Sequence, residues 1–399
     1  MKVIICHPGT QYSHYLAIEL YQHGYLSKFY TGIAFGNDHI VSKLNRFLPK
    51  KISRQLKTRI IENLPDKFIK RNIANELRAI YKIKKGLNQE QVFFKRNKSF
   101  QENISDKALK SANIVVGYDT SSWIIAKRCK NFGINFILDV SIGHPTSKNE
   151  IFKMLSEKYP DWSSQIQIKN QQLIDYERLE NELATLIATP SSFVKTTYIQ
   201  NGIDKAKIHV NPFGTDTSYF KFHQKNPIEK IKFLFFGSLT ARKGLPLLLA
   251  VWEESKFDNA ELTIAGFGEL PDNYILPKNV IKRGKIAKED RGKLFEEHHI
   301  FVFPSNFEGF AQVQIEAAVC GLPIISTNNA GGSEIVEDGY NGFLINPEQE
   351  IELKNVINFF INNKEQIAIM SENQKNIISN FTWTAYGKRW IDLLNKANS

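Results

Sequence analysis

Two glutamates, Glu308 and Glu316, are separated by seven residues within HIFVFPSNFEGFAQVQIEAAVCGLPIISTNNAGGSEIVE, residues 299–337. The apolar run Ile300–Phe303, closed by Pro304-Ser305, predicts a strand buried on both faces. Glu308 and Gly309 then fall in a loop. Apolar residues from Phe310 to Val319 predict a buried helix that Gly321 ends in a left-handed conformation, and Pro323–Ser326 predicts the next strand. One carboxylate therefore sits in the loop and the other about two turns into the helix. Free N–H groups at a helix start attract phosphate, and a glycine there allows close backbone approach. The expected ligand is a nucleotide diphosphate within reach of both acids.

Charges of the opposite sign lie upstream. The run Ile231–Phe236 predicts a buried strand leading into Gly237-Ser238-Leu239-Thr240-Ala241-Arg242-Lys243-Gly244. A glycine turn followed by two cations at a helix start is a cradle for a diphosphate. A further strand and turn, Leu262–Gly268, and a short strand at Val280–Gly284 that carries Arg283 complete a second alternation of strands and helices. The first alternation opens at Lys2–Cys6, with Gly9 in the following turn and a helix over Ser13–His23. It continues through strands at Ala112–Tyr118 and Asn135–Val140. His144 lies just beyond the last of these, where open α/β sheets bind ligands; Pro145 also marks the spot as an ordinary turn, whose His can be satisfied by backbone.

The stretch PSNFEGFAQVQIEAAVCGLPIISTNNAGGSEIVEDGYNGFLI, with ATPSSFVK and HVNPFGTDTSYF before it, resembles retaining, family 4, nucleotide-sugar glycosyltransferases of the GT-B fold. The resemblance covers roughly residues 170–390, with weaker similarity over 1–30 and around 144. It implies two Rossmann-like domains facing across a cleft: an acceptor domain over 1–220, a donor domain over 229–380, and a C-terminal helix over 381–399 that returns to the first domain. By the same resemblance His144 and Glu308 act at the transferred sugar and Glu316 holds the ribose hydroxyls. Gly9, Gly237, Ser238, Arg242, Lys243, Arg283, Gly309, Phe310 and Ala311 surround the donor. Two positions depart from the family pattern: Ala311 stands where Gly is usual, and Ser238 where many relatives have Arg. Arg242 or Arg283 is expected to supply the missing charge.

No Asp-x-Asp and no His/Cys cluster with ligand spacing is present, so neither a metal nor a cofactor is expected, as in the family. The co-substrates expected are a nucleotide-sugar donor and a glycan or lipid-linked acceptor, in cell-envelope polysaccharide or glycolipid synthesis. Competing readings are an epimerase-like GT-B enzyme and a basic protein that binds an anionic surface. The three cysteines sit in apolar runs without metal spacing, no apolar run reaches the ~20 residues of a membrane span, and MKVIICHPGT is too short for a signal peptide. A cytoplasmic protein, peripheral on the inner membrane face through its basic region, is expected.

That basic region is residues 43–98, with 17 Lys and Arg against four Asp and Glu; its net +13 leaves −2 for the rest of a chain whose total is +11. Leu44, Leu48, Ile52, Leu56 and Ile60, then Ile69, Ile73, Leu77 and Ile80, recur at helical spacing with cations between them. Such helices either pack as scaffold or dock on an anionic membrane. No nucleic-acid-binding motif is present, and nucleic acid is not an expected partner.

Overall fold

The computed structural model describes residues 1–9, 12–44, 53, 56–226 and 229–398. Two all-parallel sheets organise it. In the first, the strands run Ile69–Arg71, Leu26–Thr31, Val3–Cys6, Ile114–Tyr118, Asn135–Asp139, Leu186–Thr189 and Ile208–Val210 from edge to edge. In the second the order is Val280–Arg283, Ala260–Phe267, Ile231–Ser238, Ile300–Phe303, Ile324–Thr327 and Gly342–Ile345. Read by chain position, the second sheet is 3-2-1-4-5-6, the doubly wound order. The order reverses between Ile231–Ser238 and Ile300–Phe303, and ligands of such sheets bind at that crevice.

The central strands are apolar runs because helices cover both faces. Val3–Cys6, Ile114–Tyr118 and Ile300–Phe303 are buried throughout. The central unit folds as strand, loop, helix over Gln312–Val319, and strand, with Gly321 at φ 81° behind the helix.

The last helix, Trp383–Asn398, packs on the first domain. Trp383 stacks on Tyr15 with ring centroids 3.7 Å apart. Asn135 Nδ2 donates to the Ala397 carbonyl at 2.7 Å. Tyr386 and Tyr12 both donate to the buried Asp139 carboxylate, each at 3.3 Å. Asp139 thus fastens this helix to the end of its strand, and burial pushes its carboxyl well above the usual range.

The basic region departs from the expected helix pair. Its first part, with Arg46, Leu48, Lys50, Lys51, Ile52 and Arg54, lies outside the described residues. Ile60–Ile61 pairs with Phe35–Gly36, and Ile69–Arg71 adds an edge strand beside Leu26–Thr31. Pro65 interrupts helical continuity, and β-branched residues next to an open sheet edge pair with it whatever their spacing. Helix resumes over Ile73–Lys84 and Gln89–Glu102. The three cysteines are buried and unpaired, as expected.

Candidate active site

The loop after Ile300–Phe303 places Glu308 at the crevice of the second sheet, opposite the loop after Ile231–Ser238. There its carboxylate meets both cations of that loop. Lys243 Nζ lies 2.6 Å from Glu308 Oε1, Arg242 Nη1 bonds the same oxygen, and Ser305 Oγ donates to it at 3.2 Å. Burial alone would raise the Glu308 carboxyl, but Lys243 and Arg242 outweigh it and hold it below its ordinary value. Lys243 is depressed, first by burial and then by Arg242, against the opposing pull of Glu308. Its ammonium also lies 4.7 Å from the Phe303 ring centroid.

The cations precede the following helix rather than starting it: Ala241–Lys243 is a 3-10 turn, and Gly244 at φ 71° leads into Leu245–Ser255. A Cβ on Gly244 would strike the Pro304 carbonyl, so the glycine lets the two loops close on each other. Arg242 Nη1 further donates to the Phe307 carbonyl at 2.9 Å, and Asn306 N donates to the Arg242 carbonyl at 2.8 Å. The carboxylate and its cations are therefore held by backbone as well as by charge.

Glu316 is buried on the following helix, where Arg291 Nη1 donates to both carboxylate oxygens at 3.1 Å. Burial outweighs Arg291 and leaves this carboxyl above its ordinary value. Arg291 was not singled out from the sequence, because nothing in a cation 25 residues upstream marks its partner. Its Nε is buried without an acceptor among the described residues.

A cleft of about 530 Å³ opens beside Glu308. Ser238, Thr240, Arg242, Phe267, Gly309 and Phe310 line one wall; Ser141, Ile142, Lys148 and Phe152 of the first domain line the other. The domains touch at its rim. Ser191 Oγ donates to the Gly309 carbonyl at 2.7 Å, and Gln165 Nε2 to the Glu269 carbonyl at 2.9 Å. Glu348 accepts from Lys158 at 2.8 Å, from Tyr159 at 2.5 Å and from Asn306 Nδ2 at 2.6 Å. The close approach that Gly309 permits is to the first domain: a Cβ there would run into the Ser141 carbonyl oxygen.

The other expected residues distribute as follows. Gly237 lies on the strand that ends in Ser238, and a Cβ there would meet Phe303 and Lys243 only at ordinary contact distance. Phe310 packs edge-on against Phe213, and Ala311 is the residue before the Gln312–Val319 helix. His144 caps the helix Pro145–Lys158, its Nδ1 accepting from Thr146 N at 3.3 Å, and its ring meets Tyr198 edge-on. Burial and then Lys169 lower its pKa to about 4, so it is neutral at pH 7. Gly9 follows the first strand, its carbonyl held by Thr31 Oγ1 at 3.0 Å, and it does not line the cleft. Arg283 is not brought to Glu308: it is half-exposed on the edge strand and pairs with Glu297 at 2.8 Å. Of the two arginines expected to offset Ser238, Arg242 is the one at the carboxylate. Among the described residues no group of His, Cys, Asp and Glu is placed to hold a metal ion.

Residues 218–377 match the family model described as glycosyl transferases group 1. An uncharacterized glycosyltransferase of Methanocaldococcus jannaschii is 30% identical over 156 residues, 38% of this chain and 44% of that protein. A probable sucrose-phosphate synthase of Thermosipho melanesiensis is 27% identical over 210 residues, 49% of this chain and 48% of that protein. The chain thus spans about half the length of these curated relatives. Among solved structures, Anabaena HepE in complex with UDP aligns over 99% of this chain and 100% of its own, with TM-score 0.62 and 17% identity. Sucrose-phosphate synthase from Thermosynechococcus elongatus aligns over 99% and 98%, with TM-score 0.65 and 16% identity. The fold is GT-B.

Proposed function

We propose that this chain transfers a hexosyl or related sugar from a nucleotide diphosphate to an acceptor, with retention of anomeric configuration and without a metal. The observation that carries this reading is Glu308 held between Lys243 and Arg242 at the crevice of the second sheet, facing a cleft between two domains. The similarity of residues 218–377 to group 1 glycosyltransferases, and the UDP held by HepE, favour a nucleotide-sugar donor.

In this mechanism the bond from the anomeric carbon to the diphosphate oxygen breaks, and positive charge grows on the sugar. Negative charge grows on the leaving phosphate, where Lys243 and Arg242 stabilise it. The acceptor oxygen bonds to the anomeric carbon on the same face, and its proton passes to the departing phosphate. Glu308, ionised because its cations outweigh burial, binds sugar hydroxyls and steadies the positive carbon. Glu316, oriented by Arg291, holds the ribose. Neutral His144, buried at the end of the first sheet where it caps its own helix, is the first-domain residue we assign to the sugar.

A thermal-shift panel of UDP-, GDP- and ADP-sugars tests donor binding. A ligand at 100 times its Kd stabilises by about 2.7 kcal/mol, so the right donor raises the midpoint. NMR of the product's anomeric proton then reads retention or inversion. Nucleotide released without acceptor, or an epimerised donor, would replace transfer by the epimerase-like reading.

The acceptor we propose is a glycan or a lipid-linked sugar of cell-envelope assembly, met by a cytoplasmic protein at the membrane surface. Leu77 and Tyr81, one turn apart on the helix Ile73–Lys84, are 54% and 62% exposed, and Leu87 is 49% exposed. Exposed Arg78, Lys82, Lys84 and Lys85 surround them. Apolar residues ringed by cations suit an anionic bilayer, where each nearby cation contributes about 1 kcal/mol. No helix among the described residues is long and apolar enough to cross a membrane. Sedimentation with phosphatidylglycerol vesicles, reversed by salt and lost on changing Lys82, Lys84 and Lys85 to Glu, is the expected result; salt-insensitive behaviour would leave these helices as scaffold.

A further inference from the structure

Lys148 sits where the balance of local interactions disfavours a cation. It is in the first turn or so of the helix Pro145–Lys158, beside the positive end of the helix dipole, and that turn carries no acidic residue. It is partly buried in the cleft wall, and among the described residues its ammonium makes neither a hydrogen bond nor an ion pair; it lies 5.1 Å from the Phe152 ring centroid. Burial depresses its pKa, and the neighbouring cations Lys169 and Arg242 add to the effect of burial against the opposing pull of Glu177 and Asp119. Glu177 is already paired with Lys169, whereas Asp119 accepts a hydrogen bond from the neutral Ser141 Oγ at 2.9 Å and keeps its charge, without bonding Lys148.

Across the cleft, Arg242 and Lys243 share one carboxylate, Glu308. Arg242, Lys243 and Lys148 bring three positive charges to this space against the carboxylate of Glu308 and, behind Lys148, that of Asp119, so positive charge is in excess. A buried cation lacking a partner is destabilising unless something supplies the missing charge.

We propose that Lys148 is a binding residue for the donor diphosphate, so that one cation from the first domain and two from the second enclose it. This rests on the nucleotide-sugar reading above. A diphosphate bears at least two negative charges, enough to offset that excess. Because Lys148 belongs to the opposite domain, its contact also draws the first domain onto the loaded second domain. A diphosphate would therefore act as a clasp beside the Glu348 contacts that already join the two rims.

The test measures Kd by titration calorimetry for UDP, GDP and ADP, and for the matching nucleosides, on the full chain and on Lys148→Gln and Lys148→Arg. For the diphosphate that the parent binds, Lys148→Gln should raise Kd about 10- to 100-fold, the loss of one charged hydrogen bond. Lys148→Arg should recover most of the affinity, and nucleoside binding should not change. The ligand-free Lys148→Gln chain should melt no lower than the parent, since an unfavourable buried charge has been removed. A merely structural lysine would give the opposite pattern, a lower midpoint with an unchanged Kd, and would overturn the proposal. Equal Kd with an equal midpoint would overturn it too. A parent chain that binds none of the three diphosphates overturns the donor reading and this inference together, whereas parent binding that is indifferent to Lys148 overturns this inference alone.

Discussion

Replacing Glu308 with Gln removes the charge that Lys243 and Arg242 share while keeping the side chain's size. At an effective dielectric constant of about 20, a pair of charges 2.6 Å apart attracts by about 6 kcal/mol. Desolvation offsets part of that, and breaking a buried pair typically costs about 3–5 kcal/mol because the partner is left unpaired. Glu308→Gln should therefore destabilise the ligand-free chain by about that amount, read as a lower urea midpoint. The same two cations then face the cleft with their charge unspent. A nucleoside diphosphate should bind the variant more tightly than the parent and recover much of the lost stability, while transfer falls steeply because the carboxylate that steadies the sugar is gone. Calorimetry and denaturation with the diphosphate that the parent binds check both halves. An unchanged midpoint, or a diphosphate affinity no better than the parent's, would refute the charge argument.

Three further predictions follow from the same geometry. Glu308→Ala should chiefly lower kcat and Glu316→Ala chiefly raise the donor KM, since only the first contact strengthens in the transition state; initial rates across donor concentrations separate the two. Lys243→Ala should weaken diphosphate binding by about 1.5–3 kcal/mol, and transfer should persist in EDTA, because cations of the chain neutralise the leaving group; restoration by Mg²⁺ or Mn²⁺ after EDTA abolition would contradict this. His144 and His298 are held neutral by burial, each with a pKa lowered from 6.5 to about 4. Between those values the unfolded chain binds more protons, so stability should fall as pH drops from 6.5 towards 4, by at most about 1.4 kcal/mol per pH unit for each His, and His298→Gln should flatten that slope.

The centre of this site was legible because its signals are local. Ile300–Phe303 is an uninterrupted apolar run, and Gly321 ends the next helix at φ 81°. Leu26–Thr31 carries Ser27, Lys28 and Tyr30 among its apolar residues, so it escaped notice, and Ile69–Arg71 joined the sheet edge in spite of its helical spacing. Pro145 was read as a turn, yet it is the first residue of a 14-residue helix. Proline at a helix start, with a capping side chain before it, was the available signal. Missing that helix hid Lys148, which faces the cleft only because the helix turns it there. The pair Arg291–Glu316 and the contacts of Glu348 join distant parts of the chain, and no local spacing announces them.

Calorimetric titration of UDP, GDP and ADP into the parent chain and into a chain with both Arg242 and Lys243 changed to Ala tests the central claim most directly. The account predicts that one of the three binds the parent and that its Kd rises by two orders of magnitude or more in the double variant, with matching nucleosides unaffected. Binding that survives loss of both cations, or a parent that binds none of the three, would contradict it.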